Sequence, residues 1–315
     1  MATYILKRLG QTALVLILIS VFAYMLVYLM PGDPVYALYG ADLTEEQYEI
    51  KYRELELDKP VYVRYFNWMK NALQGDFGTS IKYHTEVSEL LAQRLPVTLY
   101  LGLIAMVTGV VLGILLGILS GTKSGGIADT MITVFANLGS ATPLFWLGVL
   151  GVYLFSIKLG WLPSFGFSYP WETDLATSIK QCILPVIALN VGTISVMARQ
   201  TRSGMLEVIR LDYIRAARAK GCAEKTVILS HAFPNALIPI VTLIGLQFRM
   251  LVAGTVTVEK IFNIPGMGQL LVNAVFNQDV ALTQACILVT ALVVCLANLI
   301  VDISYGYIDP RIRIQ

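Results

Sequence analysis

Charge is scarce in this sequence. Of 315 residues only 14% are Asp, Glu, Lys or Arg, 56% are apolar, and the mean hydropathy is +0.68. That composition excludes an ordinary soluble domain and indicates an integral membrane protein. Histidine is scarcer still: His84 and His231 stand alone, so they build no metal-ligand cluster. Of the four cysteines, Cys182, Cys286 and Cys295 lie in apolar runs and Cys222 in a basic loop, which argues against a structural disulfide. Neither "HExxH" nor "GxSxG" occurs, and no nucleophile is paired with a nearby base. A "GxxxxGK[ST]" phosphate loop is also missing, so the chain does not bind ATP in that way. These absences leave transport as the default for a polytopic chain.

Long charge-poor runs are what the sequence does have. A helix crossing a hydrocarbon core of ~30 Å needs about 20 mostly apolar residues. Six runs qualify: Leu9–Gly32, Leu95–Thr122, Thr130–Ile157, the shorter Gln181–Ala198, Ala232–Val258 with Arg249 inside it, and Val280–Val301. The first is too long for a signal-peptide core and lacks a small-residue cleavage site. Lipid offers no partner to backbone polar groups, so each run reads as a helix and the fold as an all-α polytopic membrane protein. Orientation follows the basic residues flanking the spans. With the amino terminus inside, Lys7, Arg8, Lys123, Arg199, Arg202, Arg210, Arg215, Arg218, Lys220, Lys225, Arg311 and Arg313 are inside. In the short outer loops only Lys158, Lys180 and Lys260 face them. Both termini are therefore expected in the cytoplasm, at a cell membrane.

Residues 31–94, between the first two spans, open with "PGDP" and then carry helix signals. Thr44 and Gln47 fit a capping box, followed by Tyr48, Tyr52 and Leu55 at one-face spacing; Val61, Tyr65, Trp68 and Leu73 form a second stripe. The segment reads as a small extracytoplasmic helical cap, compatible with a docking surface or with interfacial anchoring by Tyr and Trp.

The basic stretch 199–233 is the longest inner loop. Leu206, Ile209, Tyr213, Ala216 and Ala217 recur at intervals of three and four, Gly221 breaks the pattern, and a short helix from about Ala223 carries Val227 and Ile228 before Pro234 opens span five. The pattern is helix, sharp turn, helix. Small side chains and one glycine would let a partner's backbone approach closely; the positive charge would equally suit an amphipathic loop lying on anionic lipid.

Here the sequence resembles a known family. "RAARAKGCAEKTVILSHAFP", Arg215–Pro234, is similar to the cytoplasmic loop of ABC importer permeases, written E-A-A, three residues, G, nine residues, I, one residue, L-P. Ala216, Ala217, Gly221 and Pro234 are in register, while Arg215, His231 and Phe233 replace the Glu, Ile and Leu of the pattern. "DYIRAARAKG" resembles the dipeptide and oligopeptide branch. "PGDP" at 31, "LDKP" at 57, "GDFGTS" at 75, "TPLFWLG" at 142, "LPSFG" at 162, "LPVIALN" at 184, "NALIPIVT" at 235, "VEKIFNIPGMG" at 258 and "DPRIR" at 309 extend the likeness over almost the whole chain. The resemblance is to the B-type permease subunit of peptide importers.

The resemblance implies a type I ABC importer permease fold of six transmembrane helices. Residues 1–30 hold the amino terminus and helix 1, 31–94 the external segment, 95–303 helices 2–6 with the 199–233 coupling loop, and 304–315 a cytoplasmic tail. It also implies a second homologous permease subunit, two ATP-binding subunits carrying ATP and Mg, an extracytoplasmic substrate-binding protein, no cofactor on this chain and no nucleic acid. Arg215, Ala216, Ala217, Arg218, Lys220, Gly221, Glu224 and Pro234 are the expected coupling residues, with Ala216, Ala217 and Gly221 making the close approach. The cargo expected is short peptides; nickel, metal-chelate or glutathione import has the same architecture. An ion-coupled carrier would instead need carboxylates inside the bundle, and Asp302 lies only at the inner end of span six.

Arg249 either snorkels or lines the pathway, where it would attract a carboxylate. Asn190, Thr193 and Ser195 offer polar groups at helical spacing, for interhelical hydrogen bonds or for cargo. The turn-rich "IFNIPGMGQLL", Ile261–Leu271, suits a gate or a docking surface.

Overall fold

A computed structural model of the chain describes residues 2–28, 33–40 and 42–308; among them the structure is helical, with a single isolated bridge between Thr79 and Glu86. In chain order the helices are α1 (Ala2–Tyr28), α2 (Pro34–Tyr39), α3 (Glu45–Glu54), α4 (Val61–Leu73), α5 (Val87–Thr122), α6 (Ile127–Ala141), α7 (Leu144–Gly151, continuing as a π-helix over Val152–Lys158), α8 (Leu175–Ile209), α9 (Asp212–Ala219), α10 (Glu224–Thr226, continuing as a π-helix over Val227–Ala232), α11 (Phe233–Ile261), α12 (Met267–Phe276) and α13 (Val280–Ile308).

Among the described residues α1, α5, α8 and α13 are each long and apolar enough to cross a membrane. The expected third span is instead a bent pair, α6 and α7 with its π-helical extension, meeting at 105°. Pro143 is the cause: the residue before a proline is driven out of the helical region, and Thr142 is extended at φ −86°, ψ 127°. The expected fifth span falls in α11, some of whose side chains, Arg249 among them, lie outside the described residues.

The expected span boundaries were too tight at several ends. An apolar run stops at the first charge, whereas a helix stops where its caps are. Asp174 caps α8 by accepting from the Thr177 N–H at 3.0 Å, and α8 then continues through Arg199 and Arg202 to Ile209. Its 35 residues reach about 50 Å, well past a ~30 Å core.

The chain folds as two compact units, one built from the chain up to Val97 and from Pro265 onward, the other from Thr98–Ile264. In the first, α1 packs along α13, with Arg8 3.2 Å from Asp302. Tyr24 of α1 meets Tyr65 and Trp68 of α4, each at 5.6 Å between rings; Leu73, expected on the same stripe, is exposed. The Thr44–Gln47 capping box is formed in both directions. Tyr48 donates to Asp33, which pushes the phenol up to about 12. Val87, Leu90 and Leu91 at the start of α5 bury against Met267, Leu270 and Ala274 of α12 and Leu282, Ala285 and Cys286 of α13. Asp279, fully buried ahead of α13, accepts from Ser80 Oγ at 2.6 Å and the Leu282 N–H at 3.2 Å, fixing the "GDFGTS" turn.

The second unit is organised around α8. Gly109, Gly113, Gly117 and Gly121 run along one side of α5 at four-residue spacing and lie directly on α8. A Cβ at Gly109 would stand 2.8 Å from Asn190 Oδ1, and one at Gly121 2.8 Å from Met205 Cβ. Such a small-residue seam lets two membrane helices gain dispersion contact that side chains would prevent. On another side of α8 lies α6, whose Gly139 has no room for a side chain beside Ser195 and Val191.

Candidate coupling surface

The stretch after α8 is a compact knob. The sequence pattern suggested one helix carrying Leu206 through Ala217; instead the chain breaks at Arg210–Leu211, where Leu211 is extended, and restarts as α9. The break changes which residues face inward. Met205 and Val208 of α8, Ile214 and Ala217 of α9, Val227 and Ala232 of the π-helix and Ala236 of α11 form one buried cluster, with Ile118 of α5 against it. Tyr213 and Ala216 are exposed.

The turn at the tip is held by three devices. Gly221 takes φ +80°, a left-handed value that a side chain disfavours, although open space surrounds the position. The Cys222 N–H reaches back to the Ala217 carbonyl at 3.3 Å and the Gly221 N–H to Arg218 at 2.9 Å, closing α9. Across the turn, Arg218 donates to both carboxylate oxygens of Glu224, at 3.1 and 2.6 Å, which lowers Glu224 below the ordinary carboxylate range and raises Arg218. At the base Asn235 donates to Tyr213 Oη at 2.9 Å and to the His231 carbonyl at 3.0 Å.

The eight expected coupling residues therefore separate into roles. Arg215, Ala216, Lys220 and Gly221 are exposed at the tip, Arg215 lying 3.4 Å from Asp212. Arg218 and Glu224 are exposed but occupied with each other. Ala217, 9% exposed, faces its own chain and is not at the surface where a partner would approach. Pro234 opens α11; a proline removes one N–H and its ring crowds the carbonyl four residues earlier, here Ser230, which accounts for the widened π-turn preceding it.

The expected pathway residues are less accessible. Asn190, Thr193 and Ser195 are buried: Asn190 donates to Thr108 Oγ1 at 2.8 Å, Thr193 to Gln247 at 3.4 Å and Ser195 to the Val191 carbonyl at 2.6 Å. These bonds are made within the helix packing. The Arg249 side chain lies outside the described residues. In the 261–271 stretch Phe262, Ile264 and Met267 are buried and α12 begins at Met267, so much of it is packed rather than loose.

Two groups were not singled out from the sequence. One is the α5 glycine seam, whose four-residue spacing was available to be read. The other is Asp129 with Arg202, 73 residues apart, which no local pattern connects. Near the far end of α11, Thr98 also donates to the fully buried Glu259 at 2.6 Å.

A family model described as "Binding-protein-dependent transport system inner membrane component" matches residues 113–314, and the corresponding amino-terminal model matches residues 1–102. A probable peptide ABC transporter permease protein, y4tP of Sinorhizobium fredii, is 37% identical over 313 residues, 99% of this chain and 100% of that one. The glutathione transport system permease protein GsiC of Salmonella typhimurium is 39% identical over 313 residues, 99% of each chain, and its Escherichia coli K12 counterpart is equally similar. A chain of the MetNI methionine ABC transporter, solved in inward-facing conformations, superposes with a TM-score of 0.57 at 19% identity. The match covers 70% of this chain and 96% of that one, a likeness of fold.

Proposed function

Because the chain belongs to the family of binding-protein-dependent transport system inner membrane components, and is a multi-pass inner membrane permease of an ABC importer, we propose that it forms half of the path for short peptides. A second homologous permease completes the path. Two cytoplasmic ATPase chains, holding ATP and Mg, seat the 199–233 knob, and an external binding protein delivers cargo near the 31–94 segment. Both termini and the 304–315 tail are cytoplasmic, as the short-loop excess of Lys and Arg on that side favours.

The observation that carries this reading is the knob's division of labour. Its inner face is locked by a buried cluster and its tip by the Arg218–Glu224 pair, while Arg215, Ala216, Lys220 and Gly221 are left at the surface. A gate shifted from 1:99 to 99:1 needs about 5.5 kcal/mol of differential binding. Only a stiff, seated lever transmits that; a loop floating on lipid does not.

The cargo reading rests on the names of the relatives. The glutathione permease likeness favours a second cargo of the same chemical kind, since glutathione is itself a tripeptide. Purification of the intact chain should bring down the ATPase and the binding protein, and vesicles holding the complex should take up labelled trialanine with ATP, with competition by glutathione scoring the second reading. Gly221→Asp and Ala216→Glu should leave expression normal and abolish both ATPase co-purification and uptake. If both variants keep ATP-driven uptake, the docking assignment is wrong. Ala217→Glu is not a suitable probe, since it would place a charge inside the chain's own core.

A further inference from the structure

Asp129 lies in the first turn of α6 and is 5% exposed. Its carboxylate is a junction. Arg202 of α8 donates Nε to Oδ1 at 2.6 Å and Nη2 to Oδ2 at 2.9 Å; Ser120, in the last turn of α5, donates its hydroxyl; and the Gly125 N–H, in the turn between α5 and α6, donates at 2.9 Å. Three helices and one turn thus converge on a single side chain. Asp129 is buried while the Arg202 side chain stays 32% exposed, and a half-buried ion pair of this kind is weak support for stability, so its use here calls for a different explanation.

Its position supplies one. Met205, three residues after Arg202 on α8, enters the knob's buried cluster, and Gly121 of α5 rests against Met205. The same stretch of α8 therefore reaches α6 through Arg202 and the knob through Met205. Further along, Arg199 Nη2 donates to Ser140 Oγ at 2.8 Å, so α6 is fastened to α8 at both ends, just before the break at Thr142–Pro143.

Building on the coupled-permease reading above, we propose that Asp129 is a positioning residue for energy coupling: its carboxylate makes the ends of α5, α6 and α8 follow the knob as one body, carrying ATPase-driven motion to the α6 break. The residue touches neither cargo nor nucleotide; it acts through Arg202, Ser120 and the Gly125 amide.

The test uses the full complex with its ATPases and binding protein in vesicles. Radiolabelled trialanine is the probe, and the readout is peptide accumulated per ATP hydrolysed, taken within assembled complexes. Asp129→Asn keeps the size of the side chain and removes its charge. Hydrolysis should continue, since the knob's tip is intact, while the ratio falls at least about fivefold, the lower bound of typical coupling between sites. Arg202→Lys, which keeps the charge and loses the two-point contact, should fall between. Asp129→Leu combined with Arg202→Met removes both charges at similar volume, a replacement that often leaves stability unchanged; its ratio, taken within assembled complexes, should stay low. An unchanged ratio in Asp129→Asn or in the double variant overturns the proposal, including when fewer complexes assemble, because that pattern marks a pair serving stability alone. If the unaltered complex shows no ATP-driven uptake, the permease reading falls and this assignment with it; coupled wild type beside equally coupled variants overturns this assignment only.

Discussion

Gly117 offers the sharpest test of the α5–α8 packing, since the sign of the effect is set by space. In an open helix Gly→Ala gains about 0.5–1 kcal/mol by reducing the freedom of the unfolded backbone. At Gly117 there is no space: an added Cβ would lie 2.7 Å from the Ala198 carbonyl oxygen and 2.9 Å from Thr201 Cγ2, with Thr201 Cβ nearer still. Carbon contacts are comfortable at about 3.5–4.0 Å, so α5 must retreat by roughly 1 Å and lose dispersion contact in the neighbouring layers at Gly113 and Gly121. Overpacking of this kind costs about 1–3 kcal/mol. Gly192 on α8 is the internal control, because nothing lies within 4 Å of a Cβ there. In detergent-solubilised protein, Gly117→Ala should lower the melting temperature by about 2–12 °C, taking ~2–4 °C per kcal/mol. Gly192→Ala should leave it unchanged or raise it. Should Gly117→Ala prove as stable as the parent, the direct seating of α5 on α8 is refuted.

Two further predictions concern titration. Glu224 is lowered by its contact with Arg218, so the pair's contribution is present above the ordinary glutamate value of about 4.3 and is lost as pH falls through the lower folded value. Amide protection across 218–226, taken relative to the intrinsic exchange rate at each pH, should therefore be highest at neutral pH and fall in acid, and Glu224→Gln should remove that dependence. Tyr48 is pushed up to about 12 by its bond to Asp33, so this contact is undisturbed up to pH ~10 and is lost between there and about 12. Ultraviolet titration of the parent minus Tyr48→Phe should show a phenol ionising near 12, which Asp33→Asn should return toward ~10.

What could be read from the residues alone was whatever is local or periodic. Thr44 and Gln47 cap α3 because the box needs only a three-residue spacing. The helical class followed from apolar runs and lipid physics, and Gly221 as a turn from its flexibility. Misplaced features depended on the third dimension or on a single bond. Arg199 and Arg202 looked like loop residues because apolar runs end at charge, yet both lie on α8, where Arg199 reaches the exposed Ser140 and Arg202 the buried Asp129. Ala217 looked like a surface residue beside Ala216; the break at Leu211 resets the phase of α9 and turns it inward. Thr142–Pro143 was there to be seen as a dipeptide that halts a helix, but the long apolar run concealed it.

That dipeptide has a consequence for the molecule's surroundings. A helix that ends and another that begins leave carbonyls and amides without intrahelical partners, four at each terminus. In hydrocarbon every such group would cost several kcal/mol, so bare backbone at membrane depth survives only against protein or water. At membrane depth the elbow between α6 and α7 therefore has to be shielded from acyl chains, and where α8 and α11 of its own chain leave it open its neighbour there has to be further protein or a hydrated space.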